Sequence, residues 1–174
     1  MAPDSDNKIS RMKIAAKLDD SEYLKTFLET TSAKLIHSWD GTDGVGNFDI
    51  LRQYCTGNFT MEYFPDLEFP WPRTNTLEDH LSLISDLKQV NPSWQMRPYN
   101  FTAVLDRELD NAVVWFTSGP SGGPGSAGDW SSNRESVSKL KWRKRKADDH
   151  WECYCMCSKG NALKPMLISV TFDD

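Results

Sequence analysis

Residues 37–55, HSWDGTDGVGNFDILRQYC, put an acidic residue where one long helical pattern stops and then restart the chain as a second, shorter one. Upstream, Leu24, Phe27, Leu28, Thr31, Leu35 and Trp39 recur at the spacing of one helical face, so Trp39 closes a buried stripe. Asp40 follows at once, and Gly41, Gly44 and Gly46 supply the backbone freedom that ends a helix and turns the chain. A carboxylate beside a large buried aromatic is held near the core, which makes Asp40 the first candidate for chemistry. An Asp before Gly is also a common helix exit, its carboxylate only capping turn amides, and both readings stay open on spacing alone. After the break, residues 48–55 read as a short helix with Ile50, Leu51 and Tyr54 inward.

Around this stretch the chain has the composition of one soluble globular domain: 174 residues, 39% hydrophobic and 26% charged. Residues 1–20 read as a polar N-terminal arm with an amphipathic pattern at 8–18, and residues 21–174 as the single domain, its first helix capped by Asp19, Asp20 or Ser21. The net charge of -5 argues against a nucleic-acid binder, which needs a basic surface to displace counterions. The basic run KLKWRKRK at 139–146 is interrupted by Leu140 and Trp142 with period two and reads as a strand. No apolar run approaches the roughly 18 residues that a membrane span needs, and the polar start MAPDSDNKIS lacks a signal core, so a cytoplasmic protein is expected. Cys153, Cys155 and Cys157 alternate along one run, which in a regular strand points all three the same way. With Cys55 they read as buried thiols. No cluster has the spacing of three converging metal ligands, so no metal and no cofactor is expected, and activity should survive EDTA.

Downstream of the break, residues 58–64 (NFTMEYF) alternate as a strand, and Pro65, Pro70 and Pro72 force an extended connection that brings Phe69 and Trp71 over one mouth of a cavity. Thr76 caps a helix running to about Val90, with Leu77, Leu81 and Ile84 as its core face and His80 at the edge of that stripe. From Trp94 the period becomes two, predicting strands at 94–105, 111–118, 134–146 and 150–158, with a last one at 166–172. Residues 118–133, SGPSGGPGSAGDWSSN, lack the GK[ST] ending of a phosphate loop and lead into no helix, so they read as a mobile flap and not a nucleotide site.

Helix, short helix, strand, helix and a long antiparallel meander, with Ser38-Trp39-Asp40, Asn47-Phe48-Asp49-Ile50-Leu51 and the closing His150-Trp151-Glu152-Cys153, resemble the NTF2-like superfamily. Within it the chain resembles the SnoaL-like and scytalone dehydratase-like enzymes of secondary metabolism. The resemblance covers about residues 21–158. It implies an α+β, cone-shaped fold in which a curved mixed or antiparallel sheet wraps around about three helices and leaves a deep, mostly apolar pocket. It also implies cofactor-free acid-base chemistry, with the family's acid at the end of the first helix falling on Asp40 behind the aromatic Trp39. Where scytalone dehydratase carries a catalytic histidine on the sheet, this chain has Met96, Arg97, Pro98 and Tyr99.

Desolvation and mutual charge can tune a carboxylate and an imidazole for proton transfer near neutral pH. Asp40 and His80 are therefore the expected pair, with Tyr63, Tyr99 or Tyr154 donating to a substrate oxygen and Arg97 stabilising a developing oxyanion. Trp39, Tyr99, Trp115, Tyr154, Phe69 and Trp71 are the expected substrate contacts. Trp115 and Phe116 adjoin on one strand, so one lines the pocket and the other the opposite face. The leading function is an isomerase, cyclase or dehydratase acting on a hydrophobic metabolite. The alternatives are a non-catalytic small-ligand binder and a protein-interaction domain. The number of tryptophans in the meander also predicts a homodimer formed through the sheet.

Overall fold

With no Gly or Pro between Ser5 and His37, nothing stops the helix at the acidic cap expected near residue 20. In the computed structural model Ser5–His37 runs unbroken as α1, so the predicted start at Asp19 to Ser21 is corrected. The structure describes residues 5–40, 48–63, 73–90, 92, 95–106, 108–121 and 135–160; the side chains of 5–19, 40, 63, 87, 90, 120, 121, 159 and 160 fall outside that description. The apolar stripe is the one the spacing requires: Leu28, Leu35, Ile36 and Trp39 are buried, with Thr31 and Ser32 between them. A 3-10 turn, Ser38–Asp40, ends the element, and Ser38 Oγ donates to the Leu35 carbonyl at 2.6 Å. Helix α2 spans Asp49–Tyr54 with Leu51 buried. Helix α3 spans Leu77–Val90, and Thr76 caps it by accepting from the Asp79 amide at 3.1 Å.

The strands are β1 (Cys55–Tyr63), β2 (Gln95–Leu105), β3 (Asn111–Ser121), β4 (Ser136–Lys144) and β5 (Trp151–Gly160). They form one 5-stranded sheet in the order β1-β5-β4-β3-β2. β1 runs parallel to β5, and every other pairing is antiparallel. The β2–β3 turn is held by Asp106, which accepts from the amides of Asp110 and Asn111, and Leu109 takes a left-handed φ of 60. In the β4–β5 turn Arg145 grips Asp148 with two hydrogen bonds, of 2.8 and 2.6 Å. The expected last strand at 166–172 lies outside the described residues.

One face of the sheet carries the core. Ala112, Val114, Phe116, Leu140, Trp142, Phe59 and Met61 are buried there with the α1 stripe and with Leu77, Leu81 and Ile84 of α3. Ser32 of α1 accepts from the buried Trp142 indole at 3.1 Å, tying helix to sheet.

The other face carries Trp115, Lys139, Lys141 and Arg143. A bulge in β5 decides which residues join them. Lys141 pairs with Cys155 and Trp142 with Cys153, so Tyr154 is an extra residue opposite nothing. The alternation therefore slips by one, and Cys153 faces the core beside Trp142 while Cys155 and Cys157 face outward beside Lys141 and Lys139. The expectation that all three thiols point the same way is corrected for this reason. All four cysteines are buried and unbridged, as expected.

Candidate active site

Positions 77, 80, 81 and 84 fall at i, i+3, i+4 and i+7 of α3, the spacing of one buried face. His80 thus sits within the stripe and not at its edge: it is 0% exposed. Its ring lies edge-on to Trp39, centroids 4.9 Å apart, and 5.2 Å from Phe59 of β1. Neither Nδ1 nor Nε2 has a hydrogen-bond partner among the described residues. The Trp39 indole N–H and the hydroxyls of Thr56 and Thr74 are buried and unpaired there as well. Buried polar groups are almost always satisfied, because each one left bare costs about 1–3 kcal/mol. Trp39 and His80 are in ring contact, so their bare donors and acceptors mark a point in the core, at α3, where a polar ligand atom would be welcome.

Burial without a counter-charge pushes the His80 pKa down to about 4, because an imidazolium there would lose its hydration. The ring is therefore neutral at neutral pH, one nitrogen donating and the other accepting. Asp40 closes the 3-10 turn directly after Trp39, the residue whose ring touches His80. Its carboxylate is outside the described side chains. Farther along the sheet, Phe116 of β3 stacks on Phe101 of β2 at 5.2 Å.

The other expected site residues do not gather at His80. Arg97 is exposed on β2. Tyr99, 37% exposed, pairs with Thr117 on the outer face and donates its hydroxyl to Glu135. Trp115 also turns outward, with the Lys139 ammonium 5.0 Å from its ring centroid. Of the adjoining pair it is Phe116 that faces the interior, because the buried register of β3 runs through Ala112, Val114 and Phe116. Tyr154 sits at the bulge under the Arg143 guanidinium, 5.3 Å away. Tyr63 ends β1 with its side chain outside the description, and Phe69 and Trp71, like most of the expected flap, lie outside the described residues. Phe59, Thr56 and Thr74 were not singled out from sequence. The alternation of Phe59 with Met61 was the available signal for the first, and no local signal marks the two threonines.

A concavity of about 360 Å³ lies between α1 and α2, away from His80, lined by Phe27, Thr30, Thr31, Lys34, Ile50 and Tyr54 among others. Among the described residues, Glu62, Cys155 and Cys157 bring three ligand atoms within 4.8 Å of one another, which corrects the expectation that no such convergence occurs. No helix among the described residues is long and apolar enough to cross a membrane.

No family model matches the chain, and no curated protein matches it. Solved structures do. An NTF2-like protein with a cystatin-like fold from Novosphingobium aromaticivorans superposes with a TM-score of 0.51 at 13% identity, covering 91% of each chain. ActVI-ORFA from Streptomyces coelicolor matches with a TM-score of 0.50 at 13% identity, over 78% of this chain and 97% of its own. The CaMKII hub of S. rosetta matches with a TM-score of 0.59 at 14% identity, over 79% and 96%. The chain has the α+β, NTF2-like (cystatin-like) fold that the order of its elements resembles. That fold serves proteins as different as the CaMKII hub and ActVI-ORFA, so function has to be argued from the site.

Proposed function

We propose that this chain is a cofactor-independent enzyme, an isomerase, cyclase or dehydratase, that performs general acid-base chemistry on a hydrophobic polycyclic or polyketide-like metabolite bound inside the cone. The observation that supports it most is His80: a wholly buried imidazole whose two nitrogens have no partner among the described residues, against the ring of the residue that precedes Asp40. A neutral imidazole N–H can donate to a carbonyl oxygen as negative charge develops there, and a nearby carboxylate can take the proton from the adjacent carbon. Asp40 is the base in this reading and His80 the donor and shuttle. Trp39 and Phe59, whose rings lie against His80, supply the apolar walls that hold a flat substrate and exclude water. Arg97, Tyr99 and Trp115 have no part in it, since they stand on the outer face.

Enolisation can be tested before the substrate is known. A panel of polycyclic and polyketide-like ketones is incubated with the protein in D2O, and deuterium uptake at the carbon beside the carbonyl is followed by mass spectrometry. Exchange above the buffer rate that disappears in Asp40→Asn and His80→Gln supports the proposal. Exchange by no member of the panel, or exchange that persists in both variants, ends it. A binding module is the second reading, and the groove between α1 and α2 favours it: ligand bound there would shift Tyr54 and Phe27 resonances while leaving His80 unmoved. We also propose a homodimer through the outer sheet face, where Trp115 is 37% and Val104 54% exposed.

A further inference from the structure

We propose a site for a thiophilic divalent metal ion of the zinc class on the outer face of the sheet, held by Cys155, Cys157 and Glu62. It is independent of the chemistry at His80. Two features of the sheet create it. The bulge at Tyr154 turns Cys155 and Cys157 together to the outer face, and the parallel pairing of β1 with β5 sets Glu62 directly opposite Cys157. The two sulfurs are 3.6 Å apart, and Cys157 Sγ is 3.4 Å from Glu62 Oε2.

Those two separations match edges of a coordination tetrahedron, and the third, between Cys155 and Glu62, lies within 4.8 Å. Zinc–sulfur bonds of about 2.3 Å and zinc–oxygen bonds of about 2.1 Å at tetrahedral angles put two sulfurs about 3.8 Å apart, and a sulfur and an oxygen about 3.6 Å apart. An ion can therefore enter with shifts of a few tenths of an ångström along the two edges that Cys157 shares, and the exposed Glu62 side chain closes the remaining edge. Two thiolates and one carboxylate around a dication leave one negative charge in excess. Lys141 offsets it, its ammonium lying 3.5 Å from Glu62 Oε2 on the neighbouring strand. The thiols are buried while the Glu62 side chain is 53% exposed, which gives the ion a path in and leaves the fourth position to water. The alternation Cys-x-Cys lacks the familiar Cys-x-x-Cys spacing of zinc modules, but on a strand it is the i, i+2 spacing that shares a face.

The test is a cobalt titration of the reduced, full-length protein. Expected is a thiolate-to-cobalt charge-transfer band that saturates at one ion per chain and is bleached by an equal amount of zinc. Cys155→Ser and Cys157→Ser should each remove most of the band, and Glu62→Gln should weaken binding by at least about tenfold. The other two cysteines are the built-in control: a band that survives in the Cys155→Ser/Cys157→Ser double variant belongs to Cys55 and Cys153 and overturns the proposal. So does a folded wild-type protein that shows no band at saturating cobalt. Should the serine variants lose their near-ultraviolet dichroism, Glu62→Gln decides alone, and an unchanged cobalt affinity there rejects the three-ligand site.

Discussion

The interior of this protein has two ends that treat polar groups in opposite ways. Toward β3, β4 and β5 every buried polar side chain that reaches the core finds a partner: Trp142 with Ser32, Ser138 with Ser158, and Ser118 with Ser136. Toward α3 and β1 the imidazole of His80, the indole N–H of Trp39 and the hydroxyls of Thr56 and Thr74 have none among the described residues. One sequence has made both ends, so the bare groups do not reflect a general looseness of the core. The paired end contributes rigidity. The bare end accepts a penalty of a few kcal/mol in the free protein, which a ligand with matching polar atoms would recover on binding.

The sharpest way to break this contrast is at the bare end. If Asp40 and His80 act together, Asp40→Asn and His80→Gln should each lower turnover by about a hundredfold or more, and the double variant should be little worse than either. If catalysis is positioning alone, both variants keep most activity, and Trp39→Ala loses it or changes the product.

Acid should distinguish the ends next. The unfolded chain takes up a proton at the ordinary histidine pKa of 6.5, whereas folded His80 resists protonation until about pH 4. Stability from its neutral burial is therefore complete above pH 6.5 and is lost as the pH falls toward 4, by roughly 3 kcal/mol in all. His80→Leu, measured by urea melts across that range, should abolish this part of the loss. It should also cost little at pH 7, since it removes an unsatisfied group from the core. A wild-type slope unchanged in His80→Leu would mean that the imidazole is solvated.

At the paired end Ser32→Ala should do the reverse. It leaves the Trp142 indole buried without a partner and should cost about 1–2 kcal/mol at every pH, as read from the same melts. The smallest effect on folding is expected outside the interior altogether: Trp115→Ala should change stability by under about 1 kcal/mol, while shifting sedimentation toward monomer if the outer face joins two copies.

Periodicity carried much of this from the sequence. Alternation at Ala112, Val114, Phe116 and at Leu140, Trp142 fixed the strands, and Thr76 with Leu77, Leu81 and Ile84 fixed α3. What alternation could not supply was its phase. Whether Trp115 or Phe116 turns inward depends on which side the helices cover, a tertiary fact. The face of Cys153 relative to Cys155 depends on one extra residue that is visible only against β4. His80 was legible in principle, since its position completes the i, i+3, i+4, i+7 pattern of α3. An imidazole at such a position is commonly solvent-facing, and only packing against Trp39 and Phe59 shows that this one is not.

A single carboxylate on α1 bears on how this protein behaves in a crowded solution. Strand β2 ends the sheet, and a terminal strand offers bare amides to any extended chain that drifts past. Glu29 reaches across from α1 to accept the Ala103 amide at 2.8 Å. The helix that lines the core thereby also occupies a donor on one of the two edge strands, and a charge stationed there repels the next chain's carbonyls. Solubility of the free domain is then partly a property of its longest helix, set about three turns before the Trp39 that packs on His80.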